Sequence, residues 1–282
     1  PEAEKQLEAP PEGPAVSVLS TDNRSGDFTY SVLSDNTAQI TGYSGTTSNL
    51  TIPSELDGYA VCSIGSKAFD SKTSLNAVTF PEGLTYIGVY AFQYCTALKE
   101  VKFPSTLTAI YGTAFYKCTS LEEIQLPDSI QTLGADAFGS CTALRAANYP
   151  KSWNNVSYNT GFSPDGYRYS PFARCTKLTS ITVPEGVTAI PNYAFKSSSL
   201  ESISLPSTLT SIGTYAFDSC KNLTSVVFPE GLTYIDVYAF QYCAALKEVK
   251  FPSTLTAIYG TAFYKCTSLE EIQLPDSIQT LG

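Results

Sequence analysis

A chain in which one pattern returns every 23 residues has few folds open to it, because each unit is too small to bury its own apolar side chains. Pro81, Pro104, Pro127, Pro150, Pro184, Pro206, Pro229, Pro252 and Pro275 open successive units, at intervals of 23, 23, 23, 34, 22, 23, 23 and 23 residues. The unit at Pro81 carries Leu84, Ile87, Ala91, Phe92, Cys95, Leu98, Val101 and Phe103. The next keeps Leu107, Ile110, Ala114, Phe115, Cys118, Leu121, Ile124 and Leu126. An irregular earlier unit runs from Pro53 to Phe80. A longer period lies over the short one. Residues 81–134 and 229–282 differ only at Gly88/Asp236 and Thr96/Ala244, which is 52 identities in 54 at an offset of 148. Such near-identity points to duplication of a six-unit block, which a stack tolerates because each unit touches only its neighbours.

Within Leu98-Lys-Glu-Val101-Lys-Phe103, Val101 and Phe103 alternate with Glu100 and Lys102. That is strand periodicity, one face buried and the other wet. Proline then stops the strand. Gly88 is expected to permit a tight bend before Ala91-Phe92, which reads as a short helical turn on the opposite wall. Burying one large apolar side chain contributes roughly 1.5–3 kcal/mol. Only several stacked units gather enough of these to outweigh the cost of ordering the chain.

The recurring pattern Pro-x-x-Leu-x-x-Ile-Gly-x-x-Ala-Phe-x-x-Cys-x-x-Leu-x-x-Ile-x-Leu resembles the BspA-like class of leucine-rich repeats, over roughly residues 45–282. The resemblance implies a repeat solenoid: a right-handed leucine-rich-repeat superhelix, with a parallel β-sheet on the concave face and short helical turns and extended segments on the convex side. It also implies a surface or secreted bacterial protein that adheres to host proteins or other cells. The long fifth unit, the shortened sixth and Asp236 at the bend glycine's position depart from the pattern.

Three segments follow. Residues 1–26 read as a flexible leader, rich at its start in Pro and Glu with little to bury. Residues 27–52 read as an N-terminal β cap, and 53–282 as the solenoid of about 9.5 units. Terminal units must shield the open core edge of a solenoid. The last residue, Gly282, is equivalent to Gly134, so the C-terminal end is expected to be uncapped and the native protein to continue. The unit at 150–183 has 34 residues, 11 more than its neighbours. The extra segment, within Lys151 to Ser170, holds the only tryptophan, Trp153, with Tyr158, Phe162, Tyr167, Arg168 and Tyr169. Insertions in a solenoid map to one face, often the binding face. Aromatics there suit carbohydrate stacking or a protein hot spot; a local mini-core packed over neighbouring turns is the alternative.

Composition closes off several chemistries. The chain has no histidine, which removes His-based acid–base catalysis, Ser-His-Asp and Cys-His nucleophile systems and most zinc or iron sites. Net charge is −9, from 26 acidic and 17 scattered basic residues. A nucleic-acid or anionic-membrane surface needs a concentrated basic patch instead. No apolar run reaches the roughly 18 residues of a membrane helix. Of the eight cysteines, Cys95, Cys118, Cys141, Cys175, Cys220, Cys243 and Cys266 recur at one repeat position and are expected to be small buried hydrophobes. Cys62 is off register. No metal or cofactor motif is found, and the Asn-x-Ser/Thr triplets at Asn23, Asn49, Asn155 and Asn222 matter only in a eukaryotic secretory setting.

The register also lists the wet face of the sheet. One column runs from Glu100 and Glu123 through Ser180, Ser202 and Ser225 to Glu248 and Glu271. The next runs from Lys102 through Thr182, Ser204 and Val227 to Lys250. Ser180, Thr182, Ser202 and Ser204 are expected to floor a shallow site with the insertion as its wall. The candidate contacts are thus Trp153, Tyr158, Tyr167, Arg168, Ser180, Thr182, Ser202 and Ser204. Glu100 with Glu123, and Glu248 with Glu271, fall on adjacent rungs about 5 Å apart, near the carboxyl separation of retaining glycosidases. An open sheet does not dehydrate an acid to raise its pKa, so no catalytic residue is assigned. Tyr90, Tyr193, Tyr215 and Tyr238 recur before Ala-Phe; rung-to-rung stacking explains them more simply than a glycan platform.

The expected function is a non-catalytic extracellular binding or adhesion module. It would contact protein or glycan on host or neighbouring cells through the concave sheet and the 151–170 loop, without cofactor, nucleic acid or membrane insertion. A glycan-binding module using the Trp153 loop and a structural spacer within a larger surface protein are the alternatives.

Overall fold

Most units contribute two short strands, and strands at matching positions in neighbouring units pair in parallel in several separate runs. In the computed structural model, which describes residues 17–157 and 170–282, these units stack as a parallel-strand β-solenoid of about ten turns. The front ladder is built from the Leu-x-x-Val-x-Phe segments. Asn49–Thr51, Ala77–Thr79 and Glu100–Lys102 form one run of it, with Ala77 opposite Glu100 and Thr79 opposite Lys102. Shorter runs follow: Glu123–Ile124 with Ala146–Ala147, Ser180–Thr182 with Ser202–Ser204, and Ser225–Val227 with Glu248–Lys250. Val101 is buried between exposed Glu100 and Lys102, as strand alternation requires. The side ladder comes from the Thr-x-Ile segments. Tyr59–Ile64, Tyr86–Ile87, Ala109–Ile110, Thr132–Gly134 and Asn155–Ser157 pair in succession, and so do Ala189–Ile190, Ser211–Ile212, Tyr234–Ile235, Ala257–Ile258 and Thr280–Leu281.

Between the walls lies a column of stacked rings. Phe92 lies 4.7 Å from Phe69 and 5.1 Å from Phe115, and Phe115 lies 5.3 Å from Phe138, with all the ring planes nearly parallel. The column resumes through Phe195, Phe217, Phe240 and Phe263. Leu98, Leu121, Leu144, Leu223 and Leu246 are completely buried beside it.

The third wall departs from the expected helical turn. No described residue is helical, and the Ala-Phe segments form hydrogen-bonded turns. The reason is an alternation of backbone donors. The N–H groups of Ala91, Gln93 and Cys95 close local turns onto Gly88, Tyr90 and Phe92. Those of Tyr90, Phe92 and Tyr94 reach out to the carbonyls of Gly112, Ala114 and Tyr116 on the next rung. A helix would spend every N–H inside its own rung and leave none to tie rungs together. The alternation places Tyr90 and Tyr94 at φ of 60° and 58°, in the left-handed region. Such a conformation costs a non-glycine residue roughly 1–2 kcal/mol. An unmade bond at a buried backbone donor costs about as much, so the bonded arrangement persists.

Gly88 is also used differently from the expectation. It lies outside the left-handed region; a Cβ there would come within 2.9 Å of the backbone at Ile64, Gly65 and Ser66. At the equivalent position Asp236 accepts a hydrogen bond from the Thr214 hydroxyl at 2.9 Å.

The cap begins earlier than the sequence suggests. Val18–Ser25, which falls within the expected leader, is a strand antiparallel to Phe28–Leu33, which pairs in turn with Thr37–Tyr43. That last strand switches to parallel pairing with Tyr59–Ile64 and starts the side ladder. Val18–Ser25 is an almost fully exposed edge strand, so it carries no apolar alternation to betray it. Asp57 clamps the cap to the first rung by accepting hydrogen bonds from the Ser25 and Tyr30 hydroxyls, both at 2.8 Å.

Two outcomes check this packing. Phe115→Ala should lower unfolding free energy in urea by about 3–5 kcal/mol, the cost of an emptied aromatic site; a loss below about 1 kcal/mol would contradict the stacked column. At Ser140, whose φ is 58°, Ser140→Gly should leave stability unchanged or raise it, whereas Ser140→Val should lower it by roughly 1–3 kcal/mol.

Candidate functional site

The front ladder lifts alternate side chains off a buried backbone and holds them in rows. Ser180 faces Ser202 and Thr182 faces Ser204 across one parallel pair, and all four are exposed. Ile181, between them, is 4% exposed and anchors the rung in the core. The structure therefore brings together the four hydroxyl residues expected to floor a site. One rung further, Val227 is 76% exposed, the largest exposure among the large hydrophobic residues described. The Glu201 carbonyl accepts from Thr224 N–H at 3.2 Å and so ties that rung to the preceding one.

Trp153 lies elsewhere. It is 2% exposed, edge-on to Phe172 at 6.3 Å and to Phe195 at 5.9 Å, with Tyr149 at 4.9 Å. The indole thus sits in the core where the long unit parts the phenylalanine column. A ring so placed offers no face to a ligand, which corrects its assignment as a contact residue. Tyr158, Tyr167 and Arg168 fall outside the described residues. Lys151, Ser152, Asn154, Gln131 and Thr188 border a cleft of about 370 Å³ beside the indole.

Charged clusters flank the hydroxyl rows. The Lys102 ammonium lies 3.3 Å from Glu100, and Lys250 lies 3.1 Å from Glu248. Arg145 reaches Glu123 at 2.7 Å and Glu122 at 3.5 Å. Glu100 and Glu248 each sit in solvent beside the lysine two residues on, and Glu122 and Glu123 share Arg145. Pairs this exposed add little stability.

The cysteine column has a role that composition alone does not reveal. Each of the seven in-register thiols donates to the carbonyl of a phenylalanine one rung back, from Cys95 to Phe69 at 3.2 Å through Cys220 to Phe195 at 3.0 Å and Cys266 to Phe240 at 3.1 Å. Lys72 holds the equivalent place in the first rung, and Ser198 holds it between Cys175 and Cys220, where its hydroxyl lies 3.3 Å from the Cys220 sulfur. Burial pushes the Cys95 thiol up to about 12 and Cys266 to about 11. Cys141 and Cys175 are raised well above the ordinary value by the same cause. All eight cysteines are free thiols, and among the described residues no group of three or more His, Cys, Asp or Glu is placed to hold a metal ion.

On the turn wall, Tyr193, Tyr215 and Tyr238 stack at 5.1 and 4.6 Å, so the Tyr215 ring lies between its two neighbours. Lys196 lies 4.7 Å from the Tyr215 ring centre and 3.1 Å from Asp218. Tyr90 stands apart from this stack, with Lys67 5.7 Å from its ring centre. Another clamp recurs along the chain: the acid after one proline binds the serine after the next. Glu82 accepts from Ser105, Glu185 from Ser207 and Glu230 from Ser253, each from N–H and hydroxyl alike. Hydrogen bonds from the Ser207 backbone and hydroxyl hold the Glu185 carboxyl below its usual value.

The model of the BspA type leucine-rich-repeat region matches residues 43–163 and 168–282, in six copies. The chain belongs to this family. Among solved structures, this BspA-type protein resembles the pneumococcal vaccine antigen PcpA, at 22% identity and a TM-score of 0.57, over 94% of this chain and 78% of that one. A leucine-rich-repeat protein of T. pallidum is 26% identical with a TM-score of 0.48, over 89% and 91% of the two chains. One from Bacteroides ovatus is 20% identical with a TM-score of 0.49, over 92% and 90%. No curated protein matches the sequence. The likeness to PcpA is one of fold. No helix among the described residues is long and apolar enough to cross a membrane.

The buried thiols yield a count. Under native conditions at pH 8 a thiol-specific disulfide reagent should titrate at most Cys62, the half-buried one, and all eight cysteines after guanidinium unfolding. Rapid native titration of several thiols would contradict the column.

Proposed function

We propose that this BspA-type repeat protein is a surface-displayed or secreted bacterial module that binds macromolecules through its front sheet and catalyses no reaction. The observation that carries this reading is the exposed block Ser180, Thr182, Ser202, Ser204, Ser225 and Val227, held on strands whose intervening residues are fixed in the core. A rigid, pre-formed surface loses little side-chain entropy on association, because serine and threonine have few rotamers to give up. An exposed valine among hydroxyls provides an apolar anchor of the kind a protein partner buries. Family membership supports the same reading, as does the fold shared with a protein described as a vaccine antigen. The front sheet would be the concave side that the resemblance implies, and the partner a protein on host or neighbouring cells. A glycan platform built on Trp153 finds no support, since that ring is enclosed.

The test is a binding panel of extracellular-matrix proteins, mucins and glycans against the immobilised chain. Ser202→Arg with Ser204→Arg should weaken whatever protein binds by at least tenfold, while Thr96→Arg on the turn wall should leave binding unchanged. A panel in which no protein binds, or binding insensitive to the front-sheet change, would favour a spacer instead.

A further inference from the structure

The side wall closes by a recurring arrangement in which two consecutive N–H groups converge on one carbonyl of the rung before. Thr108 and Ala109 donate to Thr85 at 2.8 and 3.3 Å, Gln131 and Thr132 to Thr108 at 2.9 and 3.2 Å, and Thr210 and Ser211 to Thr188 at 2.8 and 3.3 Å. A further bond comes from the N–H groups of Gly213, Asp236 and Tyr259, which reach back to Ile190, Ile212 and Ile235 at 3.0, 3.0 and 2.9 Å.

The rung after Pro184 lacks this closure, and one residue explains why. Pro191 stands at the position of Gly213 and has no N–H to give. Ala189–Ile190 pairs onward with Ser211–Ile212, and Asn155–Ser157 pairs back with Thr132–Gly134, so the ladder parts between them. By register Asn154 offers the carbonyl on which Thr188 and Ala189 would converge, yet among the described residues no carbonyl accepts from either N–H. Ala189 is accordingly exposed, whereas Ala109 and Ala257 at the same position are 8% and 7% exposed. A cleft of about 370 Å³ fills the gap, bordered by Gln131, Lys151, Ser152 and Asn154 on one side and by Thr188 and Ala189 on the other. No acidic residue is among its described borders. The acids nearest in sequence are engaged elsewhere: Asp128 accepts from Lys151 N–H at 3.2 Å, and Glu185 accepts from Ser207.

We propose that this cleft binds a carboxylate-bearing sugar, with its carboxylate held by the Thr188 and Ala189 N–H groups and the Lys151 ammonium. Successive N–H groups turned toward one point make an anion-binding concavity. In other rungs a carbonyl oxygen occupies that point; here a ligand oxygen takes its place. One cation matches a singly charged carboxylate better than a doubly charged phosphate. The side-chain amides of Gln131 and Asn154 and the Ser152 hydroxyl each donate and accept, which is what the hydroxyls of a sugar ring require. The volume lies at the small end of ligand sites, about 300–1,000 Å³, and so suits one saccharide unit. The enclosed Trp153 ring contributes wall and no stacking face. This site is on the side wall, apart from the Ser180-to-Val227 face, and stands or falls independently of the binding reading given to that face.

The probes are methyl glucuronide and the methyl glycoside of sialic acid, titrated into the ¹⁵N-labelled full chain. Saturable shifts at the Asn154, Thr188 and Ala189 amides are expected with at least one of them. Neutral methyl glucoside, acetate and triglycine should each bind at least tenfold more weakly. Lys151→Glu should weaken the acidic sugar at least tenfold; Lys151 is exposed and its bond to Asp128 is made by the backbone, so the variant keeps its fold. The front-sheet variant Ser202→Arg with Ser204→Arg should bind the sugar as the parent chain does. Absence of shifts with both acidic sugars at millimolar concentration would overturn the proposal. So would equal binding of methyl glucoside, or of acetate or triglycine, the last two assigning the cleft to carboxylates at large or to peptide ends.

Discussion

Everything in this molecule depends on hydrogen bonds and apolar contacts made between rungs rather than within them. The turn wall shows the constraint most clearly. Alternate N–H groups leave the rung, so residues such as Tyr90 and Tyr94 must adopt left-handed backbone angles that ordinary side chains avoid. The cost is tolerated because the same geometry stacks the phenylalanine column and aims each thiol at a carbonyl one rung away. A rung removed from the stack would lose its partners on all three walls at once, which is why repeats of this kind gain stability by addition.

This organisation also explains how the chain absorbs irregularity. The long unit between Pro150 and Pro184 interrupts the side ladder between Asn155–Ser157 and Ala189–Ile190. The core remains filled because Trp153 enters between Phe172 and Phe195. Ser198 replaces a cysteine without breaking the polar column, since a hydroxyl at that place still lies beside the Cys220 sulfur. Asp236 replaces Gly88 by finding a hydroxyl partner in Thr214. Each departure is absorbed locally, as expected when a unit answers only to its two neighbours.

Much of the fold was legible in the sequence, for reasons particular to individual residues. The prolines mark the rungs, and Val101 between Glu100 and Lys102 announces a strand with one wet face. The shape of the Ala-Phe segment was not legible, because helix and left-handed turn share the same apolar spacing and differ only in where the N–H groups point. Trp153 misled because aromatics in an insertion suit a contact surface and a core plug equally well, and only packing separates the two. The strand Val18–Ser25 was hidden by its polarity. Of the candidate site, Ser180, Thr182, Ser202 and Ser204 follow directly from register and are found side by side. The pairing of Arg145 and Asn148 with the preceding rung is a side-chain matter that periodicity cannot report.

The central claim is that rung-to-rung bonds on the turn wall belong to the cooperative structure. Native-state hydrogen exchange tests it most directly, at the amides of Phe92, Phe115, Phe217 and Phe240, which donate to the next rung. Exchange as slow as that of the side-ladder amides Ile110 and Ile235, with the same dependence on denaturant, is the expected result. Exchange at the rate of solvent-exposed turns would contradict the account, because those bonds would then be ornaments on a stack held together by something else.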